Sequence, residues 1–112
     1  MPYSPSFQPS VTDLEAAIRD IQNQAIDSTS HEIESLMQKI IHVARSAREA
    51  ILNHLSMAEV FYRVTYETVK RGAFLEDEIA HLMQEMDQKL RRSGLFGHPP
   101  FSVWSAHANL HL

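Results

Sequence analysis

The chain contains no cysteine. That excludes a disulfide framework, a thiolate nucleophile and a sulfur-ligated metal centre together. Glycine occurs three times in 112 residues, too sparsely for a Gly-rich phosphate loop. Of the five prolines, Pro2, Pro5 and Pro9 crowd the N-terminus beside Tyr3 and Phe7, which makes that segment an extended arm rather than a helix. No stretch approaches the roughly 20 apolar residues a membrane span requires. The start, Met-Pro-Tyr-Ser-Pro, has neither the charged nor the apolar region of a signal peptide. A cytoplasmic location is therefore expected. A strong positive charge is missing too: the net charge is −4, which disfavours a dedicated nucleic-acid binder.

What the chain does have is a hydrophobic content of 44%, enough to build a core and too much for a disordered middle. Its length suits one domain, and dimerisation is a common remedy for the modest surface that so short a chain buries. Ile33, Met37, Ile40, Ala44, Ala47, Ile51 and Leu55 recur at steps of three and four. That keeps one side of an α-helix apolar throughout, while Gln38, Lys39, His42, Arg45, Arg48 and Glu49 face water. The implied helix of about 26 residues is roughly 39 Å long. A compact domain of this size has no need of such a rod, so part of the stripe is expected to meet a second chain.

Three boxes of the form Ser/Thr-x-x-Glu mark expected helix starts: Thr12 with Glu15, Thr29 with Glu32, and Ser56 with Glu59. The first helix carries Leu14, Ile18, Ile21 and Ala25 on its apolar face and ends near Asp27. Residues 57–71 alternate almost like a strand, but a lone strand leaves its backbone unsatisfied. A largely buried helix, closed by Gly72, is the better reading. A last helix begins near Phe74 and places Leu75, Ile79, Leu82, Met86 and Leu90 on one stripe. Glu76, Asp77 and Glu78 sit at its start and Lys89, Arg91 and Arg92 at its end, as the helix dipole favours. The expectation is an all-α bundle of about four helices with one long central helix. An extended arm (1–10) precedes the bundle (11–94), and an uncharged tail (95–112) follows it, holding Phe96, Phe101 and Trp104.

Chemistry finds few footholds. Glu78 and His81 have the Glu-x-x-His spacing of a carboxylate–histidine metal site, with Glu85 extending the face, but a di-metal bundle needs two copies and further glutamates. His98, His107 and His111 of the tail are irregularly spaced. No Ser–His–acid order stands out. No metal, cofactor or catalytic residue is expected, and no motif is specific enough to name a family.

The function expected from sequence is a small non-enzymatic regulatory module. It would be a homodimer that binds and masks a partner protein such as a transcription regulator, in the manner of an anti-activator, adaptor or chaperone. Its partner-binding residues would be Ile33, Met37, Ile40, Ile51 and Leu55 of the stripe, with Tyr62, Tyr66, Phe96 and Trp104 as aromatic anchors. The alternative is a helical dimer that binds nucleic acid through a basic ridge of Lys39, Arg45 and Arg48.

Overall fold

The computed structural model describes residues 10–94, so the proposed tail, with Phe96 and Trp104, and all of the proposed arm but Ser10 lie outside the described residues. Four α-helices follow one another: α1 (Val11–Asp27), α2 (Ile33–Asn53), α3 (Leu55–Lys70) and α4 (Asp77–Arg92). No strand occurs among the described residues. The stretch whose pattern resembled a strand is helical: Phe61, Tyr62, Val64, Thr65, Thr68 and Val69 are all buried on α3. A helix satisfies its own backbone, and Thr65 and Thr68 turn their hydroxyls onto the carbonyls of Phe61 and Val64, at 2.9 and 2.8 Å.

Contacts between side chains fix the directions of the helices. Lys39 Nζ of α2 donates to Gln24 Oε1 of α1 at 2.8 Å, and Ala17 shares a groove with Val43, so α1 and α2 are antiparallel. Ile18 lies near Met57, whereas Ala25 lies near Thr68, so α1 and α3 run together. Arg45, Arg48 and Leu52 of α2 meet Glu76, Glu85 and Lys89 in that order. The four helices therefore alternate up, down, up, down. Ser10, His54 and Ser93 consequently share one end of the bundle.

The core runs along the whole stripe. Ile33, Leu36, Met37, Ile40, Ile41, Ala44, Ala47, Ile51 and Leu52 of α2 are buried against Leu14, Ile18 and Ile21 of α1 and the inner faces of α3 and α4. Met37, Met57, Met83 and Met86 are core fillers as well.

The long helix ends near the Ser56 box, and it is not straight. Helix α2 leaves helical geometry at Ala47 (φ −134°, ψ 27°) and stops at Asn53, and His54 alone separates it from α3. Just before the break, the Ser46 hydroxyl donates to the His42 carbonyl at 2.8 Å. Such bonds often accompany bends, although Thr65 and Thr68 make the same bond in α3 without breaking it. Residues on both sides of the break are buried, Ile33 and Ala44 among those before it and Ile51 and Leu52 after it, so one chain covers the stripe.

The capping boxes fare unequally. Thr29 and Glu32 meet as expected: the Thr29 amide and hydroxyl donate to Glu32 Oε1 at 3.3 and 2.9 Å. They open a 3₁₀ turn, Ser30–Glu32, which leads into α2. At α1, Ser10 and not Thr12 is the cap; its hydroxyl accepts from the Asp13 amide at 3.1 Å. Starting earlier adds the bond from the Leu14 amide to the Ser10 carbonyl without moving the apolar face. At α3 the Ser56 box is not used, because the one-residue joint places Ser56 already inside the helix. Gly72, with φ +113°, closes α3 in a Schellman motif. Its amide reaches the Val69 carbonyl, and the Ala73 amide reaches that of Thr68. Helix α4 starts at Asp77 rather than near Phe74, which is exposed, while Leu75 is buried in the connection.

Candidate interaction surface

The residues expected to contact a partner fall in different places. Ile33, Met37, Ile40, Ile51 and Tyr62 are at most 4% exposed and belong to the chain's own core. Leu55 and Tyr66 are half-buried against that core, with the Lys70 ammonium 5.7 Å from the Tyr66 ring centre. The stripe is thus closed by α1, α3 and α4 of the same molecule, on both sides of the break at Ala47. A partner that met these side chains would have to displace a helix.

The basic ridge is occupied by acidic neighbours. Arg45 bridges Glu76 (2.6 Å) and Glu78 (3.3 Å) at the start of α4. Glu76 foremost, by charge and then by hydrogen bonding, holds the Arg45 pKa above its ordinary value, and Glu78 adds to this. Arg48 pairs with Glu85 one turn further on, and Lys39 is bonded to Gln24. Each cation that a phosphate backbone would need already faces a carboxylate or amide, so this geometry lends the ridge no support. The same pairs take Glu78 and Glu85 away from His81, whose Nδ1 lies 2.8 Å from the Asp77 carbonyl. No group of metal-ligating side chains occurs among the described residues.

What remains open is the surface on either side of α1. Only Leu14, Ile18 and Ile21 of this helix are buried. Between α1 and α2 runs a shallow groove of about 360 Å³ with Ala17, Ile21 and Val43 in its floor and Asp20, Lys39 and His42 on its rim. Between α1 and α3 two shorter grooves follow each other, the first over Ile18, Met57 and Val60 and the second over Ala25, Ile26 and Val64. Ile26 is 76% exposed, an unusual position for an isoleucine. Arg71, at the end of α3, donates to the carbonyls of Ala25 and Ser28 and so clasps the C-terminal end of α1.

Sequence reasoning passed over Ile26 because it lies next to the α1 stripe and reads as a continuation of it. Only the tertiary arrangement shows that no helix covers it. Arg71 likewise gave no signal, since its partners are backbone carbonyls some 45 positions away.

Compared with known protein families, curated proteins and solved structures, the chain matches none. No described helix is long and apolar enough to cross a membrane.

Proposed function

We propose that the protein is a small non-enzymatic regulator that acts as a homodimer by binding and masking a partner protein such as a transcription regulator. Anti-activators, adaptors and secretion chaperones work in this way. The observation that supports the reading is the groove between α1 and α2. Its floor of Ala17, Ile21 and Val43 is apolar and its rim carries both charge signs. An amphipathic helix of a partner fits such a groove, with apolar side chains on the floor and polar ones toward the rim. The contact thereby moves from the inner stripe of α2 to the outer faces beside α1.

The test is affinity capture from native lysate, with nuclease, using the intact chain and an Ala17→Glu/Val43→Glu variant. Both positions are half-buried at the groove surface, and circular dichroism reports whether the variant keeps its helices. One stoichiometric protein retained by the intact chain and lost from the folded variant is the expected result. Equal retention by both chains refutes the groove, and capture of nucleic acid alone refutes masking.

A further inference from the structure

The outward side of α3 carries Glu59, Arg63, Glu67 and Arg71, four residues apart and alternating in sign. Within one helix this order yields pairs such as Arg63–Glu59 at 3.3 Å, each worth a few tenths of a kcal/mol. The order has a second property. Laid antiparallel against itself, it is complementary at every position, with Glu59 opposite the partner's Arg71 and Arg63 opposite the partner's Glu67. A parallel arrangement would set like charges against each other instead.

The two-fold axis of that pairing passes midway between Arg63 and Glu67. Ile26 lines the groove shared with Arg63, Val64, Glu67, Thr68 and Arg71, on the Arg71 side of the axis. The same rotation sets the two α1–α3 grooves, each with its exposed Ile26, against each other. One operation thus pairs the charges and covers the most exposed apolar side chain described.

We propose that the α1–α3 face binds a second copy of this chain about a two-fold axis, with Arg63 and Glu67 exchanging partners across it. Such a contact is isologous: the same patch serves both subunits. Alternating charges select its direction, and the groove with exposed Ile26 supplies apolar area to be desolvated. The proposal rests on the homodimeric part of the function proposed above, and it leaves the α1–α2 groove free for the masked partner. Exposed ion pairs are weak and screened by salt, so the dimer is a dissociable one that salt loosens. Arg71 also clasps α1, which makes the inner Arg63–Glu67 pair the sharper probe.

The experiment is sedimentation velocity on the full chain over a range of concentrations at low and high salt. The expected mass rises from monomer to dimer with concentration and falls back with salt. Arg63→Glu alone, or Glu67→Arg alone, sets like charges opposite each other at both inner positions and weakens self-association at least tenfold. An equimolar mixture of these two variants restores complementarity at every position and recovers the dimer. Recovery also shows that neither variant failed merely by misfolding. A chain that stays monomeric throughout, or a dimer indifferent to either reversal, overturns the proposal, and so does a mixture that fails to associate. A monomeric chain that still captures its partner refutes this face while masking stands. A dimer whose α1–α2 groove captures nothing refutes masking and leaves this face intact.

Discussion

Helices α1 and α2 are both amphipathic, yet they do opposite things. Helix α2 buries nine of its 21 residues, and Ile40 and Ile51 have no exposed surface at all. Helix α1 buries three of its 17 and leaves Val11 and Ile26 in solvent. An apolar stripe reports that a helix face is buried, but not by whom. The longest stripe in this chain belongs to the inside, and the shortest marks the element with the most unclaimed surface.

That contrast can be broken from either side. The largest effect is expected in α2: Ile40→Ala and Ile51→Ala each remove a fully buried side chain and cost about 2–5 kcal/mol, read from urea unfolding. Losses below about 1 kcal/mol at both sites would mean that α2 is not the centre of the core. A smaller effect is expected where α1 is tied down. Arg71→Ala removes the clasp on the Ala25 and Ser28 carbonyls and costs about 1 kcal/mol. Hydrogen exchange should speed up most in the last turn of α1, and uniform acceleration would argue against a local clasp. On the outer face, Ile26→Ala is expected to change stability by about 0.5 kcal/mol or less, measured at a concentration where the chain is monomeric.

The smallest effect concerns the joint between the two helices. The Thr29 hydroxyl, helped by its backbone amide, holds the Glu32 pKa below its ordinary value. A depressed folded-state pKa contributes stability that is present above the unfolded value and lost as pH falls through the folded one. The urea midpoint should therefore drop slightly on acidification below the ordinary carboxylate range. Glu32→Gln should lose part of that dependence, and an unchanged acid limb in this variant would remove the cap from the account.

Much of the architecture was legible in the residues. Steps of three and four located the inner faces of α1, α2 and α4, and Gly72 and Gly94, both with positive φ, mark the ends of α3 and α4 as glycine allows. The charge pattern of α4 was read correctly as helix-dipole placement. What failed was the inference from stripe length to a second chain. The break at Ala47 is a matter of one residue's backbone angles, and nothing in the spacing of the apolar residues registers it. The acidic last helix already weighed against the basic ridge in sequence, but the individual pairs of Arg45 and Arg48 did not show, since their carboxylate partners stand more than 30 positions away. Helix α3 was decided by backbone satisfaction rather than by its pattern, which fitted a strand nearly as well.

The central claim is that the α2 stripe completes its core within a single chain. The most direct test is circular dichroism with urea unfolding of the Arg63→Glu chain across a wide dilution series, its mass followed by sedimentation. The expected result is a fully helical monomer whose unfolding midpoint does not move with concentration. Loss of helix on dilution, or a midpoint that climbs with concentration, would show instead that Ile33, Met37, Ile40 and Ile51 need a second chain to cover them.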